Sequence, residues 1–486
     1  MSASSHTGWE LQMDCRRVID TYVKRAASLM RLLVTCLLVA GAASAWAAEP
    51  DASPEPESPT LRALASALDR HDEHALDAFW KRMKSAHNPM IESIPGHPDD
   101  RLFTFIWQAA PGQVAVNTLF NGWFPLHAQR GFDSFTRLGE SNVWYTTYTL
   151  PRTAQVRYEL VAPKGWHASP DRATYFTMDD REYETFHDPL NPDLVEWNDS
   201  IVSHAQGPDA RTSVYLKKRS DVPTGVVENL EVESKTLGNK RTVRVYLPPG
   251  YQRGGSDYGL LLAYDGNQYT LAVPTPMILD NMIAAKAIPP VVAVFMESPD
   301  RDVEFPPNDD FQKFVGAELV PQVRAHYRIS RDPSRSAVLG SSYGGLGAVY
   351  TGLVHPELFG NVISQSGSFA WAPPAKDAPP AAQTPPPFRA TNADSGYLIK
   401  RVAEAPREKV RLYLDAGLWE GGGMLSSNRL MRAVLVGKGY DVTYREAPGT
   451  HSSYYWMLRL PDGLAAALSP CTAPSCASAL TDAATP

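Results

Sequence analysis

Two patterns of hydrophobic and polar positions divide this chain. In 102–107, 144–148 and 155–160, apolar and polar residues alternate over short segments, and turn residues separate such segments. A period of two indicates strands with one buried face, and a long series of them predicts an all-β sandwich of roughly immunoglobulin type. Ahead of the strands, residues 61–87 carry leucine and aromatic residues at helical spacing, which predicts a leading helix.

A different pattern follows the sandwich. Residues 259–264 and 291–295 are continuous apolar runs, and helical stretches such as 309–327 alternate with them. Apolar strands that alternate with helices predict a parallel sheet covered on both faces. We therefore expect an N-terminal β-sandwich domain over 61–222 and an α/β domain over 223–470.

The N-terminus carries the features of an export signal. One arginine precedes an apolar run at 32–43 that is too short to span a bilayer, and Ala45-Trp46-Ala47 fits the small-x-small pattern of a cleavage site. The order of these features predicts a signal peptide over 1–47, in which 1–29 are an upstream extension, and hence a periplasmic or secreted protein without stable membrane insertion. A buried hydrophobic helix is the alternative. The proline- and acid-rich residues 48–60 predict a disordered leader.

Composition and cysteine content narrow the function. The chain has 486 residues, 43% hydrophobic and 20% charged, with a formal net charge of −7, so nothing indicates the basic face of a nucleic-acid binder. Of four cysteines, Cys471 and Cys476 lie in the tail 471–486 and predict a small disulfide loop in an oxidising compartment. A metal site there would lack nearby ligands, and we expect neither metal nor cofactor. The proline-rich segment 372–388 predicts an exposed loop.

The candidate chemistry begins with a G-x-S-x-G motif at 340–344. Small residues permit a sharp turn from strand to helix that holds Ser342 exposed as a nucleophile, with the backbone N–H of Tyr343 facing the developing oxyanion. A plain glycine-rich turn is the alternative. The flanking residues favour the first interpretation, because an apolar strand precedes the motif and small helix-forming residues follow it.

A serine nucleophile needs a base and an acid, which in this arrangement follow it along the chain. Only His355 and His451 lie downstream, and His451 is preferred because it lies in a loop after a strand. Asp415, Glu420 and Asp441 are the candidate acids. Glu420 is preferred, because a carboxylate in a loop after the preceding strand can orient the imidazole. A second oxyanion donor is expected after the strand at 259–264, where Gly266 and Asn267 can present backbone N–H groups.

With these residues in place, the chain resembles the enterochelin (ferric enterobactin) esterase family, in the esterase-D-like branch of the α/β-hydrolases. The resemblance covers both predicted domains. The segments that carry it are YDG at 264–266, R-x-x-E-F at 301–305, GSSYGGL at 340–346, HPELFG at 355–360, SQSGS at 364–368, AGLWE at 416–420, GYDVTYREAPGTH at 439–451, VWYTTY at 143–148 and DPLNP at 188–192.

The resemblance implies an N-terminal enterochelin-esterase domain and a serine esterase that hydrolyses the ester bonds of a catecholate trilactone siderophore and releases iron. It assigns the acid to Glu420 and the base to His451. It places Arg301 near the active site, where it could engage an anionic catecholate, with a salt-bridged surface arginine as the alternative. Asn267 and Trp371 are expected at the substrate, with Trp371 at the pocket rim.

Two other functions remain open on the sequence. One is a feruloyl- or acetyl-type carbohydrate esterase whose sandwich binds sugar, although the sandwich tryptophans (Trp107, Trp123, Trp144) are better explained as core. The other is a binding protein with a relic triad, against which the intact serine, glutamate and histidine argue. The family usually has Gly-Gly-His-Asp where this chain has Gly449-Thr450-His451-Ser452, so loop contacts near the base are expected to differ.

Overall fold

The structure is a computed structural model that describes residues 55–109, 117–120, 133–163, 183–197, 200–254, 257–373 and 396–469. From Glu57 onward the chain forms one unit. Three predicted features lie outside the described residues: the signal peptide, the Cys471–Cys476 disulfide and nearly all of the proline-rich loop. Trp123 also lies outside them.

In the described part of the chain there are ten α-helices, joined by a few turns of other helical pitch. The α-helices are α1 (Pro59–Asp69), α2 (Ala75–Ala86), α3 (Thr275–Ala284), α4 (Arg301–Glu304), α5 (Asp309–Lys313), α6 (Val320–His326), α7 (Tyr343–Val354), α8 (Tyr397–Glu404), α9 (Gly422–Gly437) and α10 (Ser453–Leu468). Tighter turns span Val214–Leu216 and Pro333–Arg335, and wider turns span Gln268–Ala272 and Phe314–Leu319.

The described strands fall into an N-terminal and a C-terminal group. The first group is β1 (Met90–Ile94), β2 (His97–Gln108), β3 (Asn117–Phe120), β4 (Asp133–Ser134), β5 (Thr136–Arg137), β6 (Val143–Pro151), β7 (Gln155–Pro163), β8 (Tyr183–Phe186), β9 (Leu194–Trp197) and β10 (Ser200–Gln206). The second is β11 (Val226–Ser234), β12 (Asn239–Leu247), β13 (Gly259–Ala263), β14 (Val291–Phe295), β15 (Ser336–Ser341), β16 (Asn361–Gln365), β17 (Arg411–Gly417) and β18 (Asp441–Ala447).

The N-terminal strands form two antiparallel sheets. One has the order β1-β2-β6-β5, and the other has the order β4-β3-β7-β10-β9 with β8 paired to β7. Alternation along β2 explains the layering: Phe105 and Trp107 face the core shared by both sheets, whereas Ile106 faces the opposite way, into a cluster with α1 and α2. Trp107 is buried in the shared core and Trp144 packs against it, as expected.

Two expectations at the start of the domain are wrong. The single helix over 61–87 is two helices, α1 and α2, separated by a turn in which His71 has a positive φ. The leader does not extend to residue 60, because α1 begins at Pro59. Ser58 is buried and caps α1, and its hydroxyl donates to the carboxylate of Glu92. Ser58 thus has a fixed position although the composition of residues 48–60 is typical of disorder.

The C-terminal strands form one eight-stranded sheet of order β11-β12-β14-β13-β15-β16-β17-β18. The ladders from β14 to β18 are parallel, whereas β11 and β12 pair antiparallel to their neighbours. Separate apolar clusters cover the two faces. This is the α/β-hydrolase arrangement, and it confirms the predicted covered sheet. The carboxyl end of the central strand β15 leads directly into α7, where ligand sites of such sheets lie.

Candidate active site

Ser342 occupies a strained corner between β15 and α7. Its backbone has φ 54° and ψ −122°, a conformation that non-glycine residues rarely adopt. The corner is tight, because a Cβ on Gly340 would lie 2.2 Å from the carbonyl oxygen of Gly344. The Ser342 N–H donates to the carbonyl of Gln365 at 3.0 Å. The chain thus holds this serine in one position at the end of the sheet.

Residues 365–368 connect the serine to the acid. The Ser368 hydroxyl lies 3.2 Å from the Ser342 hydroxyl, and the Ser368 N–H donates to the Ser342 carbonyl at 3.0 Å. Two positions earlier, the Ser366 hydroxyl donates to the Glu420 carboxylate and accepts from the Trp456 indole at 2.9 Å. One short segment therefore contacts both the nucleophile candidate and the acid candidate.

Glu420 and His451 form a buried pair. Oε2 of Glu420 lies 3.2 Å from Nδ1 of His451, and these residues are 4% and 6% exposed. A carboxylate only accepts, so Nδ1 carries the hydrogen and Nε2 is left as the proton acceptor. The other carboxylate oxygen accepts from the Gly417 N–H at 2.9 Å, and the Trp456 ring meets the imidazole edge to face. This is the tautomer that a general base beside a serine requires.

The other candidate acids and the other histidine have different surroundings. Asp415 is fully buried in β17, where burial raises its pKa to about 8, so it holds a proton at neutral pH. Asp441 is exposed at the start of β18. His355 ends α7, with Nε2 2.9 Å from the carbonyl of Gln312 and Nδ1 3.1 Å from the carboxylate of Glu357. Of the three carboxylates, Glu420 is the one the structure brings to His451.

The two predicted oxyanion donors differ in availability. The Tyr343 N–H lies in the first turn of α7, where backbone N–H groups lack an intrahelical acceptor and carry partial positive charge. The Gly266 N–H instead donates to the carbonyl of Met296 at 3.0 Å. The prediction that the Gly266 N–H donates to the oxyanion is therefore wrong for this structure, because that N–H bonds the turn after β13 to the end of β14. The Asn267 N–H likewise donates to the Glu297 carboxylate, at 2.7 Å.

Arg301 is both ion-paired and close to the serine corner. Its Nε and Nη2 donate to the two carboxylate oxygens of Asp265, each at 2.9 Å. The guanidinium lies 5.6 Å from the Tyr343 ring centroid, and the side chain remains 39% exposed. Asp265 also contacts the corner, since a Cβ on Gly344 would lie 2.9 Å from its carboxylate. The geometry fits both interpretations of this arginine: the salt bridge exists, and it borders the site.

Trp371 and Asn267 lie on either side of this corner along the chain. The Trp371 N–H donates to the Ser368 carbonyl at 3.0 Å, and its half-buried ring meets Tyr397 edge to face. Asn267 is exposed, and its side-chain oxygen accepts from Arg244 at 2.6 Å. Their contact with substrate stays a prediction. Within the described ranges, no group of three or more His, Cys, Asp and Glu side chains is placed to hold a metal ion.

Family models match both halves of the chain. The model described as "Putative esterase" matches residues 234–467, and that described as "Enterochelin esterase, N-terminal" matches 102–214. Among similar proteins, the iron(III) enterobactin esterase of Escherichia coli K12 is 26% identical over 80% of this chain and 95% of its own length. The iron(III) salmochelin esterase of E. coli O6:H1 is 25% identical over 80% and 93%.

Solved structures show the same fold. The ferric enterobactin esterase of Salmonella typhimurium matches with a TM-score of 0.63 at 24% identity, over 80% of this chain and 98% of that one. The enterobactin esterase of Shigella flexneri in the presence of enterobactin gives 0.59 at 24%, over 79% and 96%. The two family models match in the expected order, and the similarity to the relatives extends over most of this chain and of theirs. Both findings are consistent with an esterase site at the serine corner and the Glu420–His451 pair. The chain belongs to the enterochelin esterase family and is a carboxylic-ester hydrolase.

Proposed function

We propose that this enzyme hydrolyses the ester bonds of a catecholate siderophore such as ferric enterobactin and thereby releases iron. The observation that carries the proposal is the strained Ser342 joined, through residues 365–368, to the buried Glu420–His451 pair. The enterobactin and salmochelin esterases among its relatives supply the substrate class.

The reaction proceeds in two halves. Nε2 of His451 takes the Ser342 proton as Oγ attacks the ester carbonyl, and Glu420 stabilises the imidazolium that forms. The Tyr343 N–H donates to the oxyanion. When the C–O bond of the ester breaks, His451 returns the proton to the leaving alkoxide. Water then attacks the acyl-enzyme with His451 again as the base, which frees the acid and restores Ser342.

Charge and shape near the corner suit an anionic aromatic ligand. Arg301 is 39% exposed beside Tyr343 although it pairs with Asp265. An anionic ligand could accept hydrogen bonds from the exposed edge of Arg301, because a guanidinium has five N–H donors and the Asp265 carboxylate occupies two of them. Trp371, whose N–H donates to the Ser368 carbonyl, is the aromatic residue that we propose stacks on a catechol at the rim.

Incubation of the purified enzyme with ferric enterobactin, followed by chromatography of linear trimer, dimer and monomer, tests the substrate. We expect stepwise hydrolysis that is absent in Ser342→Ala. A matched incubation with a feruloylated sugar should give slow or no ferulate release. Rapid release of ferulate with intact enterobactin would identify a carbohydrate esterase instead.

We also propose that the enzyme is exported to the periplasm or beyond, and that its N-terminal domain is an immunoglobulin-like sandwich. The signal-like residues 1–47 support export, and the two facing antiparallel sheets support the sandwich. In the described residues, no helix is both long and apolar enough to cross a membrane. Cell fractionation with mass measurement of the mature N-terminus tests export. An unprocessed chain confined to the cytoplasm would contradict it.

A further inference from the structure

Two residues next to the catalytic pair lie against the N-terminal sandwich. Trp419 directly precedes Glu420, and its side chain packs against the aromatic core shared by the two sheets. Tyr454 follows His451 by three positions, and its hydroxyl lies 2.8 Å from Nε2 of His204 on β10. The acid and the base thus each have a near neighbour in the chain that is held by the other domain.

The contacts around Tyr454 fix it from two directions. The Arg157 guanidinium lies 4.2 Å from its ring centroid, and Arg157 is buried in β7. Nδ1 of His204 lies 3.0 Å from the Asp193 carboxylate. Since that carboxylate only accepts, Nδ1 carries the hydrogen and Nε2 accepts from the Tyr454 hydroxyl. We call Arg157, Asp193, His204 and Tyr454 the Tyr454 clamp.

The loop after β17, which carries Glu420, and the loop after β18, which carries His451, are also bonded to each other. The Trp419 N–H donates to the carbonyl of Gly449 at 3.0 Å, and the Leu418 N–H donates to the carbonyl of Ala447 at 2.9 Å. A displacement of one loop therefore displaces the other. Ser342, by contrast, is fixed by β15, α7 and residues 365–368 within the catalytic sheet.

We propose that the sandwich positions Glu420 and His451 against Ser342, through the Tyr454 clamp and through Trp419. The proposal rests on the serine-esterase chemistry given above, but not on the identity of the siderophore. A misplacement of about 1 Å at reacting groups can cost ~10²-fold in rate. The clamp therefore contributes to the rate of the chemical step by holding Glu420 and His451 in place. We class the clamp members as positioning residues, because the contacts described above join them to one another and not to Ser342, Glu420 or His451.

Tyr454→Phe, His204→Ala and their double variant test the proposal. Phenylalanine keeps the ring beneath Arg157 and removes only the hydroxyl bond. With p-nitrophenyl acetate we expect each single variant to lower kcat by about tenfold, less than the ~10²-fold of a 1 Å misplacement, with little change in KM. The rate at which a fluorophosphonate modifies Ser342 should fall in proportion. The double variant should be no slower than the slower single one, because both changes remove the same bond.

Tyr158→Phe is the matched control. Its hydroxyl donates to the buried Asp188 at 2.8 Å within the sandwich, so its loss should lower the melting temperature and leave both rates at wild-type values. Clamp variants that behave like this control, with a lower melting temperature and unchanged rates, would overturn the proposal. A wild-type enzyme inert to enterobactin would leave the result standing, whereas one inert to the fluorophosphonate would refute the serine mechanism itself.

Discussion

The substitution Glu420→Gln tests which ring nitrogen of His451 must carry the hydrogen. Oε1 of Glu420 accepts from the Gly417 N–H at 2.9 Å and from the Ser366 hydroxyl, while Oε2 faces Nδ1 of His451 at 3.2 Å. An amide has a single oxygen, which keeps the two donors at Oε1. Its NH₂ group then faces Nδ1, so the imidazole must carry its hydrogen on Nε2 and cannot take the proton of Ser342.

The magnitude follows from this change of tautomer. We expect Glu420→Gln to lower kcat for p-nitrophenyl butyrate by about 10³–10⁴-fold, as the wrong tautomer does in serine-hydrolase triads. That loss corresponds to about 4–5.5 kcal/mol of transition-state stabilisation. Because the substitution keeps the shape of the side chain, the melting temperature should change little. Initial rates and thermal unfolding of the same preparation measure both quantities.

Two further carboxylate-to-amide variants serve as controls. Asp441→Asn alters an exposed carboxylate, and Asp415→Asn replaces a buried carboxyl that is already protonated at neutral pH. Both should keep kcat close to that of the wild type. A near wild-type kcat for Glu420→Gln would show that Glu420 does not set the tautomer of His451, as would a large loss of kcat in Asp415→Asn instead.

Three other predictions concern stability. Arg241→Met leaves the buried carboxylate of Glu304 without its bidentate partner and should lower the free energy of unfolding by about 3–5 kcal/mol in urea titrations; a loss below about 1 kcal/mol would show that the pair is dispensable. Gly340→Ala puts a Cβ 2.2 Å from a backbone oxygen, so esterase activity should be lost and stability should fall by about 1–3 kcal/mol. Gly437→Ala at the end of α9, where a Cβ meets open space, should leave activity unchanged and should not lower stability; equal losses in the two variants would contradict this. Burial raises the pKa of Asp415 to about 8, so from about pH 5 to pH 8 the folded chain keeps a proton that the unfolded chain releases. As the pH rises through this range, the free energy of unfolding of the wild type should therefore fall, relative to that of Asp415→Asn, by up to roughly 1.4 kcal/mol per pH unit. A difference that does not depend on pH would contradict the raised pKa of Asp415.

The sequence predicted the sheet and the serine corner well for a physical reason. Continuous apolar runs such as 291–295 leave few alternatives to a buried parallel strand, and Gly340 and Gly344 permit a turn that few other residues allow. Glu420 could be preferred over Asp415 because the former lies in a loop and the latter inside a strand. In each case a local pattern carried the decisive information.

What the sequence could not supply were contacts between distant segments. The position of Gly266 after β13 predicts an oxyanion donor, but its N–H donates to the carbonyl of Met296. Ser366 and Ser368 belong to a segment that resembles the family, but nothing in the spacing of SQSGS predicts that one hydroxyl meets Glu420 and the other meets Ser342. The bond between Tyr454 and His204 spans 250 positions and leaves no local pattern.

We propose that Ser342 itself is acylated by a catecholate siderophore. Rapid acid quenching of the enzyme with ferric enterobactin, followed by peptide mass spectrometry, tests it directly. We expect a catechol-bearing seryl ester on the peptide that contains Ser342, and neither adduct nor turnover in Ser342→Ala. Siderophore hydrolysis at the wild-type rate by Ser342→Ala, or an adduct on a different residue, would contradict it.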